Sequence, residues 1–103
     1  MGLAYFPIQK LPKITPTGTV TEYSIPTPNS TPLGITAGPD GNIWFTEDGG
    51  NQIGMLFLGN FTFSEFLVQT AAAGPNGITA GPDGNLWFTE TSGNKIWAET
   101  GTR

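Results

Sequence analysis

Ile35-Thr36-Ala37-Gly38-Pro39-Asp40-Gly41-Asn42-Ile43-Trp44-Phe45-Thr46-Glu47 returns 43 residues later as Ile78-Thr79-Ala80-Gly81-Pro82-Asp83-Gly84-Asn85-Leu86-Trp87-Phe88-Thr89-Glu90, with Leu for Ile as its single change. The same offset pairs Glu22-Tyr23 with Glu65-Phe66 upstream and Gly50-Asn51 with Gly93-Asn94 downstream, so a whole unit is duplicated. Self-similarity at this period is the mark of solenoids and propellers, whose units cannot bury their apolar faces alone.

One period divides into four short strands. The first is Leu33 to Ala37. Gly38-Pro39-Asp40-Gly41 then turns the chain: Pro fits the first central position, Asp bonds its own backbone, and Gly tolerates a positive φ. The second strand is Asn42 to Glu47. Asp48-Gly49-Gly50-Asn51 makes the next loop, a third strand spans Gln52 to Leu58, and Gly59-Asn60 leads into a fourth, Phe61 to Val68. Four antiparallel strands in about 43 residues make one blade of a β-propeller. The fold class read here is all-β, with about two such blades per chain.

The second strand shows that its sheet is covered twice. A sheet with one wet face alternates apolar and polar residues, but Ile43-Trp44-Phe45 and Leu86-Trp87-Phe88 are apolar on both sides of the pleat. These six are the predicted core. A two-sheet sandwich covers one face of each sheet; a stack of blades covers both.

In register, the chain starts late in one blade, holds one complete blade, and stops partway through another. Thr19–Ile25 matches the fourth strand Thr62–Val68, and 94–98 matches the third strand 51–55. The first therefore fits the blade that the second leaves open in a neighbouring copy, a head-to-tail contact that closes a ring. Thr19, Val20, Tyr23, Ile25 and Trp97 are the predicted interface residues. A blade face left wet would expose several hundred Å² of apolar surface and forgo on the order of 10 kcal/mol of gross burial. Two blades per chain make six in a trimer and eight in a tetramer, and the trimer is preferred. Residues 1–17 form an N-terminal segment in which Gln9–Thr15 reads as a degenerate third strand, 18–98 hold the repeats, and 99–103 form a tail. That extra strand leaves two candidates for one place in the ring, as in a piece of a longer array.

Composition excludes several roles. Four Lys and Arg in 103 residues, with a net charge of −4, cannot neutralise a run of phosphates, so no nucleic-acid partner is expected. The absence of Cys and His removes disulfides, the usual zinc ligands and the usual neutral-pH proton carrier. Pro7 interrupts the weakly apolar start, so no signal peptide is read. Ile53–Leu58, the longest apolar stretch, is too short to span a bilayer, and a soluble, cytoplasmic protein is expected. The glycosylation patterns at Asn29-Ser30-Thr31 and Asn60-Phe61-Thr62 carry no weight without a secretory signal.

Lys13-Ile14-Thr15-Pro16-Thr17-Gly18-Thr19-Val20-Thr21-Glu22-Tyr23, then Pro26-Thr27-Pro28-Asn29-Ser30, and the twice-used Gly-Pro-Asp-Gly-Asn-x-Trp-Phe-Thr-Glu string resemble the repeats of the virginiamycin B lyase (streptogramin lyase) family. The likeness runs over about residues 9 to 98. It implies a seven-bladed propeller and the opening of a cyclic depsipeptide by elimination, with a His as general base, Glu residues and Mg²⁺. The acidic positions after Trp-Phe-Thr match Glu47 and Glu90. Two residues further on, where the His would stand, this chain has Gly49 and Ser92.

Glu47 and Glu90 are the weak metal candidates: ring symmetry sets strand-end carboxylates on one rim, where oxygen ligands suit Mg²⁺ or Ca²⁺. The plainer alternative is a pair of solvated strand ends. Asp40 and Asp83 are explained by turn chemistry, Trp44 and Trp87 by core packing rather than by stacking on a sugar. No cofactor and no catalytic residue follow from these residues themselves. The functional expectation is a non-enzymatic propeller module that self-assembles as a scaffold or ligand-binding ring. The alternatives are a lyase-like enzyme and a fragment of a longer propeller.

Overall fold

The computed structural model describes residues 9–92 and the backbone of 95–100, and among them it contains nine strands and no helix. They are β1 (Lys10–Ile14), β2 (Val20–Ser24), β3 (Pro32–Ala37), β4 (Ile43–Glu47), β5 (Gln52–Phe57), β6 (Thr62–Leu67), β7 (Pro75–Ala80), β8 (Asn85–Glu90) and β9 (Lys95–Thr100). Three antiparallel sheets result, ordered β1-β2, β3-β4-β5-β6 and β7-β8-β9. The middle sheet is the complete blade read from the repeat, flanked by a late half-blade and an early three-stranded one. β9 reaches Thr100, two residues into the segment expected to be tail.

The duplicated turn explains why β3 and β4 pair. Gly38 N donates to Asn42 O at 2.8 Å and Gly41 N to Gly38 O at 3.1 Å, with Gly41 at φ 83°, a conformation that suits a residue without Cβ. The second copy repeats it, with Gly81 N on Asn85 O at 2.8 Å and Gly84 at φ 83°.

Both faces of the middle sheet are covered along β4 and β5, each by a different sheet. Ile43 lies opposite Leu56 and Phe45 opposite Gly54, and this face packs on Leu11, Tyr23 and Ile25 of the first sheet. Trp44 opposite Met55 and Thr46 opposite Ile53 form the other face, which packs on Ile78, Leu86 and Phe88 of the third. Trp44 and Phe45 are fully buried on opposite sides of one strand, which only a stack of at least three sheets allows. Each side chain so buried is worth roughly 1.5–3 kcal/mol of transfer free energy.

The predicted core residues take unequal places. Trp44, Phe45, Leu86 and Phe88 are buried and Ile43 is half-buried, but Trp87 is 38% exposed. Its neighbours Leu86 and Phe88 point at the middle sheet, so the alternation of the strand turns Trp87 to the outer face of the third sheet, which nothing among the described residues covers.

The predicted interface residues also divide. Thr19 and Val20 are exposed, whereas Ile25 is buried in the core beside Phe45, and Tyr23 stacks on Phe61 with ring centroids 5.1 Å apart. Tyr23 and Ile25 thus pack within the chain. Trp97 lies opposite Phe88 in the β8–β9 register, and its side chain falls outside the described residues.

The degenerate strand has become β1, paired with β2 from Lys10 opposite Ser24 to Ile14 opposite Val20. The edge of β2 that a neighbour's third strand would use is therefore filled from within. Ile25 N donates to Gln9 O and Thr15 N to Thr19 O, and this phase turns Pro12, which has no N–H, to the open edge of β1. Pro on an edge strand, flanked by Lys10 and Lys13, blunts that edge against further pairing.

Candidate functional site

Glu47 ends β4 and is fully buried. It lies opposite Gln52, whose Nε2 donates to Glu47 Oε1 at 3.3 Å and to Thr27 Oγ1 at 2.9 Å. Thr27, in the link from β2 to β3, donates in turn to Glu65 Oε1 at 2.9 Å. Glu65 stands on β6 opposite Gly54, and a Cβ at Gly54 would come within 2.6 Å of Glu47 Oε2. The glycine makes room for the Phe45 ring and, beside it, for the Glu47 carboxyl.

Burial pushes the Glu47 carboxyl up, the hydrogen bond to Glu65 and its negative charge push it further, and Gln52 only partly opposes them, so it titrates at about 8. Glu47 Oε2 and Glu65 Oε2 have no other hydrogen-bond partner among the described residues. Two carboxylate oxygens cannot bond to each other, but one carboxyl that keeps its proton can donate to its neighbour. Proton sharing therefore satisfies both leftover oxygens.

Glu90 ends β8 and is 2% exposed, with neither oxygen hydrogen-bonded among the described residues. It lies opposite Lys95, the counterpart of Gln52. Glu47 and Glu90 are thus buried strand ends, not solvated ones. Glu47 shares the face of Phe45 toward the first sheet, and Glu90 shares the face of Phe88 toward the middle one. Among the described residues no three acidic, His or Cys side chains converge. Mg²⁺ takes one or two carboxylates and keeps several waters, whereas Glu47 is fully buried and the pair already accepts from Gln52 N–H and the Thr27 hydroxyl. The pocket fits a proton and does not fit that ion.

The repeated aspartates do more than turn the chain. Asp40 Oδ1 accepts from Asn42 N at 3.1 Å and from Trp44 Nε1 at 3.0 Å. Burial acts to raise its carboxyl, but the bonds from Trp44 and Asn42 outweigh this and hold it below its usual value. Asp83 accepts from Asn85 N at 3.1 Å and Trp87 Nε1 at 3.2 Å, and these bonds, Asn85 first, lower it likewise. Both indoles are tethered, and Trp44 is closed to any ligand.

The carboxyl pair was not anticipated from the residue pattern. Its trace was the 43-residue echo of Glu22 in Glu65, but the partner of an acidic residue in mid-strand depends on register, and the register of β6 on β5 is set by packing. In the first sheet the echo, Glu22, instead takes an exposed ion pair with Lys10 at 3.1 Å.

Comparison with known proteins agrees with this architecture. The model of the virginiamycin B lyase family matches residues 5–101. The virginiamycin B lyase of Bacillus licheniformis is 60% identical over 37 residues, 36% of this chain and 12% of that protein. The selenomethionine-substituted crystal structure of the Staphylococcus aureus virginiamycin B lyase superposes with a TM-score of 0.85 at 43% identity, covering 88% of this chain and 31% of the other. A streptogramin B lyase structure gives 0.85 at 44% identity, covering 90% and 31%. A catalytically inactive His-to-Ala variant of the S. aureus lyase with quinupristin gives 0.83 at 43% identity, covering 88% and 31%. The chain spans about a third of the length of these solved lyases. Its sheets are the blades of a β-propeller, and the chain belongs to the virginiamycin B lyase family.

Proposed function

We propose that this chain is a non-catalytic blade module of a lyase-type propeller, and that copies of it assemble head to tail, three in preference to four, into a ring that serves as a soluble, cytoplasmic scaffold or ligand-binding platform. The observation that carries the reading is a pair of exposed apolar patches that face opposite ways along the stack: Leu33 and Ile35, 51% and 57% exposed, on β3 of the middle sheet, and Trp87, 38% exposed, on the third sheet. Each is the kind of surface that β4 buries on both sides with Trp44 and Phe45.

The non-catalytic part rests on the acid–base chemistry. Elimination near neutral pH needs a base of matched pKa. Loss of one His leaves the S. aureus enzyme catalytically inactive yet able to be crystallised with quinupristin. This chain has no His, and Glu47 is locked in a proton-sharing pair. Binding without ring opening is the combination this reading expects.

Light scattering coupled to size exclusion tests the assembly, and incubation with a streptogramin B antibiotic tests the chemistry. A trimer or tetramer with no ring-opened product supports the reading. Ring opening by the purified chain would restore the enzyme. A second reading, a segment of a longer propeller, is favoured by the 31% coverage of the solved lyases, and a monodisperse monomer would select it.

A further inference from the structure

Trp44 shows what the seam between two sheets of this protein holds. It lies opposite Met55, stacks on Phe66 with ring centroids 5.7 Å apart, and packs in one cluster with Ile53, Ile78 and Leu86. The seam between the first and middle sheets is built from counterparts of these neighbours. One repeat earlier, Tyr23 stands for Phe66, Ile35 for Ile78 and Ile43 for Leu86. β1 pairs with β2 as β5 pairs with β6, which sets Leu11 in the place of Ile53 and Lys13 in that of Met55.

The indole itself has no counterpart there among the described residues. The first sheet consists of β1 and β2, the equivalents of β5 and β6, and no described strand of it answers to β4. A cavity of about 220 Å³ remains, and Leu11, Lys13, Tyr23, Ile35 and Ile43 all line it. Drug-sized ligands occupy roughly 300–1,000 Å³, so this space suits one fused ring with a short chain. It lies by Leu58 and Phe61, at the start of β4, whereas Glu47 ends that strand.

Two residues define the occupant further. Pro12 stands where Gly54 stands in the middle sheet, on the open edge of β1, and has no N–H to give to a further strand. A free molecule therefore suits the space better than a side chain carried in on a strand. Lys13 sets the charge. Lys10 is paired with Glu22 at 3.1 Å, but Lys13 has no carboxylate partner among the described residues, and its Nζ lies 5.8 Å from the centroid of the Phe61 ring at the cavity wall.

We propose that this cavity binds a small aromatic acid, an indole-sized ring bearing a short carboxylate chain. The ring takes the place that Trp44 takes in the next seam, and the carboxylate meets Lys13 Nζ. Tyr23, held by its stack on Phe61, supplies the aromatic wall that Phe66 gives to Trp44. The site is formed within one chain, so it goes beyond the assembling reading and does not rest on it. Ile35 also belongs to the patch that carries that reading, so binding and mass are measured on the same samples.

Indole-3-propionate is the probe, titrated into the full chain by calorimetry while light scattering follows the mass. Saturable binding at one molecule per chain is expected. Ile35→Glu, which sets a carboxylate at the cavity from an exposed position, should weaken it about tenfold or more. Leu33→Glu, on the same strand but outside the cavity, should leave it unaltered. Lys13→Ala should weaken it about threefold, and Lys13→Glu should turn the preference to tryptamine, which carries an ammonium on a similar chain. Leu58→Glu replaces Ile35→Glu if that variant loses its sheet spectrum by circular dichroism. A titration without saturable heat, or equal losses in Ile35→Glu and Leu33→Glu, would overturn the site. An oligomer that takes up no probe would overturn it while leaving self-assembly intact, and a monomer that binds the probe would support it while removing self-assembly.

Discussion

Trp44 Nε1 donates to Asp40 Oδ1 at 3.0 Å, and the repeat copies the bond between Trp87 and Asp83 at 3.2 Å. In each copy the turn is fastened to the second strand by the same residue pair, so the hairpin and the placement of the large indole are set together. The rings also close on Gly38 and Gly81, where any Cβ would collide with the indole.

Asp40→Ala removes the acceptor for both Trp44 Nε1 and Asn42 N, leaving a buried indole N–H without a partner, and should cost about 1–3 kcal/mol. Asp83→Ala, in an exposed hairpin, should cost less than half as much. Urea denaturation of the two variants measures the difference. Equal losses would mean that the Asp40 bond gains nothing from its burial.

The Glu47–Glu65 pair ties stability to pH. The folded state holds a proton on Glu47 up to about pH 8, whereas an unfolded Glu releases it near 4.5. A raised folded value means a contribution fully present below 4.5 and lost as pH climbs to 8. Melting temperature should fall across that interval, by an amount on the order of a few kcal/mol in stability. Glu47→Gln keeps a donor toward Glu65 without a titrating group, so its melting curve should be flat over the same range and lie above that of the parent at pH 8.5. A parallel pH response in parent and variant would contradict the shared proton.

Thr31 adopts φ 48°, a left-handed conformation that a β-branched residue takes only under strain, and its repeat counterpart Gly74 sits at φ 67°. The two backbones do the same work: Thr31 O accepts from Asp48 N at 3.1 Å, and Gly74 O from Thr91 N at 3.0 Å. Thr31→Gly relieves the strain against a smaller loss of chain entropy and should stabilise the protein by about 0.5–1 kcal/mol. Denaturant midpoints check it, and a lower midpoint for the variant would show that the Thr31 side chain contributes more than its backbone costs.

Much of the fold could be read from local chemistry. Gly38-Pro39-Asp40-Gly41 has one good way to bend, and β3 to β6 lie within a residue or two of the strands read from the repeat. The double-sided apolar run at Ile43-Trp44-Phe45 required sheets on both sides, and the first and third sheets are there. The candidate site was less legible. Glu47 could be named from its place after Trp-Phe-Thr, but Glu65, Gln52 and Thr27 come to it from two other strands and a loop, 18, 5 and 20 residues away in the chain.

The residues alone determined the repeat, the hairpin turns and the need for cover on both faces of each blade, because turn preference and side-chain alternation act over a few bonds. Tertiary structure decided what no local rule reaches: that β1 occupies the open edge of β2, that Trp87 faces outward, and that two carboxyl groups meet above Gly54 and share a proton. Those outcomes depend on which strand lies beside which and on how far water is excluded between them, and both follow only when the sheets have stacked.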